Sequence, residues 1–102
     1  MNKIIDATQK QILRGQVLSL CNELNTTGAG VTLMHMVFKK RGLSYSQENI
    51  IEACYYLQDK GWITFKHIQS DALDIERDIA FITAVGIDIL ETTKPIEGII
   101  IG

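Results

Sequence analysis

The sequence predicts a small α+β domain: three helices, then two or three strands, then a closing helix. Three observations predict it. The stretch Ile79 to Glu91 reads I-A-F-I-T-A-V-G-I-D-I-L-E. In it Ile79 and Phe81 alternate with Ala80 and Ile82, the period of a strand with one face on a core. Thr83 can then cap a new helix by offering its hydroxyl to free first-turn amides, with Val85 and Ile89 on one face. A second apolar strand, Trp62 to Ile68, is entered through Lys60 and Gly61 directly after a helical stretch. The front half, by contrast, carries apolar residues at helical spacing throughout.

That first helix runs from about Thr8 to Leu24, where Leu13, Val17, Leu20, Cys21 and Leu24 fall on one face. Asn25 to Gly30 (N-T-T-G-A-G) is a turn by composition. Thr32 is the expected cap of a short second helix that buries Leu33, Met36 and Val37. It closes on Lys39, Lys40, Arg41 and Gly42, where basic residues complement the negative end of the helix dipole. The third helix starts near Ser44 or Ser46. Ser44 with Gln47 fits a capping box, and Ser46 with Asn49 is the weaker alternative. Ile50, Ala53, Cys54 and Leu57 form its buried face, and Gly61 ends it. Leu20, Leu57, Ile63, Phe81 and Val85 are expected to meet in one core cluster.

At 102 residues the chain is one domain with a single modest core. Its 46% hydrophobic and 22% charged content is ordinary for a globular chain. No run approaches the roughly 20 apolar residues that span a bilayer, so no membrane association is expected. The start, M-N-K-I-I-D, lacks the pattern of a signal peptide, and cytoplasmic residence is the default expectation. Cys21 and Cys54 lie inside helices rather than in a spaced framework, and read as small buried side chains. A net charge of -2 gives no global attraction to nucleic acid. Local attraction remains open, because a patch and not the average makes the contact.

Residues 1–93 form the expected domain and 94–102 an apolar tail. After Pro95 the chain reads I-E-G-I-I-I-G, a segment that would leave an apolar edge in water. It is expected either to fold back on the first helix with Ile4 and Ile5 or to pair with a second subunit. The second option is preferred, which makes the chain a homodimer.

The segments A-C-Y-Y-L-Q-D-K-G-W-I (Ala53 to Ile63) and I-T-A-V-G-I-D-I-L-E (Ile82 to Glu91) carry a resemblance. With the element order, they resemble the winged-helix superfamily of helix-turn-helix proteins. The small size, the G-I-D-I-L-E junction and the short tail also look similar to uncharacterised phage and prophage winged-helix proteins. The resemblance implies a small transcriptional regulator that places the third helix, about 46–60, in the major groove of duplex DNA. The strand pair then forms a wing over the backbone.

Carried onto this chain, the base-edge candidates are Ser46, Gln47 and Asn49, and the phosphate candidates are Lys39, Lys40, Arg41 and Lys66. Arg77 and His67 flank the wing. The three basic residues at the helix end have a simpler reading too, as a solvated terminus. The outward face of the third helix is Glu48, Glu52, Tyr55 and Asp59, three of them carboxylates that subtract from attraction to phosphate. The wing segment, Gln69 to Asp78, is acidic as well. The alternative is therefore a winged-helix protein-interaction module that binds through Glu48, Glu52, Tyr55 and Asp59, a composition common in protein contacts. Duplex DNA is the preferred partner. No catalytic group, cofactor, small-molecule substrate or metal is indicated. His35 and His67 lack partners at ligand spacing, and the exposed carboxylates lack the burial a general acid needs.

Overall fold

The computed structural model describes residues 4–101; Met1 to Lys3 of the expected domain and Gly102 of the tail lie outside them. The first helix, α1, spans Ala7–Glu23. It opens at Asp6, whose Oδ1 accepts the Gln9 N–H at 2.8 Å, while Gln9 Oε1 accepts the Asp6 N–H at 3.1 Å. This reciprocal cap satisfies two otherwise orphaned donors. Leu13, Val17, Leu20 and Cys21 are buried as their spacing predicts, and Leu18 joins them.

The expected turn contains a strand. Ala29–Gly30 forms β1, which pairs antiparallel with Ile79 and Ala80. α2 follows at once over Val31–Lys40, with Gly30 at the N-cap position and no side-chain cap; Thr32, the expected cap, lies inside the helix. Its buried face is Val31, Met34 and Phe38; of the expected Leu33, Met36 and Val37, only Val37 packs on the core, partly buried, while Leu33 and Met36 are exposed. Apolar residues occur all round this helix, so periodicity alone could not choose among its faces.

The next helix, α3, spans Gln47–Asp59 and buries Ile50, Ala53, Cys54 and Leu57, as expected. Its capping box is Ser46 with Asn49, not Ser44 with Gln47. Gly61, at φ +77°, turns the chain out of it in a conformation other residues rarely adopt. β2 (Ile63–Ser70) and β3 (Ile75–Ile82) then form a long hairpin in a sheet of order β1-β3-β2.

The register puts Ile63, Phe65, His67 and Gln69 opposite Ile82, Ala80, Asp78 and Glu76, all on one face. That face meets the core, where Ile63 and Ala80 are buried. Phe81 lies on the other face and is only half-buried. It packs where Gly28 leaves room: a Cβ there would come within 2.7 Å of its ring.

The closing helix, α4, spans Ala84–Glu91 and is capped by Thr83 as expected. Thr83 Oγ1 accepts the Gly86 N–H at 3.1 Å and donates to the Gly61 carbonyl at 2.7 Å, joining the strand ends to the helix. A side chain at Gly86 would collide with the Trp62 carbonyl, 2.1 Å from its Cβ position, so glycine is required by the close approach. Val85 leaves the expected core cluster, being 53% exposed, because Gly86 is the helix residue turned inward.

The tail folds back on its own chain, the option the sequence reading placed second. Ile99 is 5% exposed within the core, and the Ile100 N–H donates to the Gln11 carbonyl at 3.0 Å. Ile4 stands fully exposed while Ile5 is buried. The domain thus has enough apolar surface to cover Ile96 and Ile99 itself.

Candidate nucleic-acid interface

The candidate interface is the outward side of α3 with the wing beside it. Glu48, Glu52, Tyr55 and Asp59 are all exposed, in the stripe their spacing predicts. The base-edge candidates separate. Gln47 is exposed at the first turn of α3. Asn49 is only 3% exposed, and its Oδ1 accepts the Ser46 N–H at 3.0 Å. Ser46 Oγ in turn accepts the Asn49 N–H at 3.0 Å. Both side chains hold the end of the helix, so a direct contact from Asn49 to a base edge does not fit its burial. Their three-residue spacing was the readable signal for this role.

Two contacts from α3 place the wing. The Tyr55 ring meets Phe65 edge-on at 5.4 Å between centroids, and Gln58 Oε1 accepts the Phe65 N–H at 2.8 Å. Tyr56 faces the tail instead: the Arg14 guanidinium lies 3.7 Å above its ring and donates to the Gly98 carbonyl at 2.9 Å.

The cations come from two separate elements. Lys39 and Lys40 are exposed at the end of α2. Arg41 lies 3.9 Å from Glu23 at the end of α1, an exposed pair that contributes little. Lys66 stands over the Phe81 ring at 5.9 Å. In the register it shares the outer hairpin face with Arg77. The opposite face, the one Phe65 turns to α3, holds His67, Asp78 and Glu76. The wing therefore segregates its charge, cations outward and carboxylates on the helix side. His67 bonds to Asp78 through Nδ1 and lies 3.5 Å from Glu76 through Nε2. The Asp78 hydrogen bond, aided by the charges of both carboxylates, raises the His67 pKa above its usual value.

A groove of about 740 Å³ opens between the start of α2, the start of α3 and the edge of β3. Leu33 and Met36 line it from α2, Gln47 and Ile51 from α3, and Glu76 to Ile79 from β3. The sequence reading missed this surface, since it assigned Leu33 and Met36 to the core.

Cys21 and Cys54 are free, buried thiols, and burial pushes Cys21 up to about 12 and Cys54 higher still. Among the described residues no three His, Cys, Asp or Glu side chains are grouped to hold a metal ion. No helix among them is long and apolar enough to cross a membrane.

No family model matches the sequence, and no curated protein matches it. A solved structure does share its architecture, an X-ray structure described as a PadR-like transcription factor from "bacteroid fragilis". The two align with a TM-score of 0.67 at 15% identity, over 80% of this chain and 76% of the other. With four helices and a three-stranded antiparallel sheet, the fold of this chain is the winged helix.

Proposed function

We propose that this chain is a DNA-binding transcriptional regulator that presents the amino end of α3 to the major groove. The observation that carries the reading is the fold itself, shared with a transcription factor, with Gln47 exposed on the first turn of α3. A glutamine can bond an adenine edge in two places, and the positive end of the helix dipole favours nearby phosphate. Ser46 and Asn49 act in support, holding that turn through their reciprocal cap. Lys39, Lys40, Arg41 and Lys66 supply phosphate contacts from the flanks. Buried, unpaired cysteines suit a reducing cytoplasm. Outward Ile100 and Ile101 on the docked tail offer an apolar patch for a homodimer contact.

Fluorescence anisotropy with a mixed-sequence duplex pool at several salt concentrations tests the reading. Changing Lys39, Lys40 and Arg41 together to Ala lowers the salt slope by roughly 2 to 3. Gln47→Ala changes the sequences selected from the pool and leaves the slope alone. No binding by the parent protein at low salt overturns the reading. The second reading, a protein-interaction module, is favoured by one observation: Glu48, Glu52 and Asp59 line the face that would meet DNA.

A further inference from the structure

We infer that the groove between α2, α3 and β3 receives an extended segment of a partner protein, alternating basic and apolar residues, which adds to the open edge of β3. The edge is open for a plain topological reason. β3 begins at Ile75, but β1 covers only Ile79 and Ala80. Among the described residues, Ile75 to Asp78 have a strand partner on the β2 side alone. An unpaired edge presents a row of backbone donors and acceptors, and an added strand satisfies them.

The groove lies against this edge at Glu76, Arg77 and Asp78, and its far wall is apolar. Leu33 and Met36 are 44% and 54% exposed there, one turn apart on α2, with half-buried Ile51 beside them. A strand points alternate side chains to opposite sides, so one set can fill this wall while the other stays near water.

Charge selects the occupant. Of the charged residues lining the groove, Glu76 and Asp78 are carboxylates on the wing face that looks toward α3 and Arg77 is the cation, and Glu48 stands exposed next to Gln47 at the start of α3. His67 bonds Asp78 on that face and lies 3.5 Å from Glu76, and Arg77 belongs to the opposite face by register. Acidic segments and polyphosphates are disfavoured here, and a cationic segment is matched. Because Gln47 lines the groove, such a segment and a duplex at the start of α3 exclude one another.

The probe is a dye-labelled peptide, acetyl-Arg-Val-Arg-Val-Arg-amide, titrated into the full chain by anisotropy. A Glu-for-Arg version and an Arg version N-methylated at every residue serve as controls. The expected result is binding of the first peptide, at least tenfold weaker binding of both controls, and slowed hydrogen exchange in residues 75–78. Met36→Lys, a change at an exposed site, weakens the first peptide at least tenfold while the thermal midpoint stays put. Equal binding of the N-methylated peptide overturns strand addition, and indifference to Met36→Lys overturns the groove. Duplex DNA slowing exchange at residues 75–78 while the peptide does not assigns the surface to nucleic acid and overturns the inference. The Lys39, Lys40 and Arg41 triple variant leaves peptide binding unchanged, so failure of the DNA reading is separately visible.

Discussion

The two ends of the β2–β3 hairpin are the same two strands under different physical terms. At the base, Ile63 and Ala80 are buried, and Phe65 is tied to α3 through Tyr55 and Gln58. Beyond His67 the strands pair with each other, while Ile68 and Leu73 stand in water. Packing holds the base; cross-strand bonds and the His67–Asp78 pair hold the tip. Regions with few buried contacts open at low free energy, so the tip is the adjustable part and the base the fixed one. The tail joins the fixed part. Its glycine carbonyl is clamped by Arg14, and Ile99 sits in the core.

The largest expected effect is in the shared core. Leu57→Ala costs about 2 to 5 kcal/mol in a urea melt, the usual loss for a fully buried leucine. Ile68→Ala, in the outer hairpin, stays within about 0.5 kcal/mol. Similar costs at the two sites would abolish the contrast between base and tip.

The tail comes next. Gly98 has φ +86°, and a Cβ there would lie 1.8 Å from Tyr56 Oη. Gly42 has φ +79° with nothing within 4 Å of its Cβ position. Gly98→Ala should cost about 1 to 3 kcal/mol more than Gly42→Ala, because only the first adds overpacking to backbone strain. Exchange of the Ile100 amide should quicken in Gly98→Ala alone. Equal melts for the two variants would mean the tail is not held.

A smaller effect sharpens the edge of the core. Val85→Ala should change stability by no more than about 0.5 kcal/mol, since the side chain is largely in solvent. A loss near that of Leu57→Ala would restore Val85 to the interior.

The smallest effect is a titration at the tip. His67 should titrate by NMR above its ordinary value near 6.5, and Asp78→Asn should bring it back down. A pKa raised in the folded state adds stability when the ring is protonated. The contribution is complete below the ordinary value and fades as pH rises through the raised one. Exchange of outer hairpin amides should therefore be slower at pH 5 than at pH 8, after correction for the intrinsic rates. An unshifted His67 would remove side-chain pairing as a support of the tip.

Much of the fold was legible because its signals are local. The i, i+3, i+4, i+7 spacing of Ile50, Ala53, Cys54 and Leu57 leaves only one inward face for α3. Thr83 followed by Ala84 and Gly86 announces the junction, since a cap needs only the next three residues. The site was less legible. Ser46, Gln47 and Asn49 were read as one polar group, yet two of them are spent on the cap and one faces solvent. That division depends on which serine is the cap, and Ser44 and Ser46 each had a matching partner three residues on.

What the sequence determined by itself, then, was the order of the four helices and the hairpin, the inward face of α3 and the acidic stripe opposite it. These follow from backbone periods and short-range hydrogen bonds, which act within a few residues. Only the tertiary structure decided which face of β3 is buried, which side of α2 is wet and what covers the tail. Alternation defines two strand faces without ranking them, and the space beside α1 admitted Ala80 and left Phe81 outside. On α2 apolar residues surround the axis, so only the neighbouring elements could choose Met34 and Phe38 over Leu33 and Met36. The tail was settled by two gaps with no side chain in them, at Gly15 and Gly98, where the backbone of Ile100 and the ring of Tyr56 fit. Such fits depend on close packing between distant segments, and no local pattern encodes them.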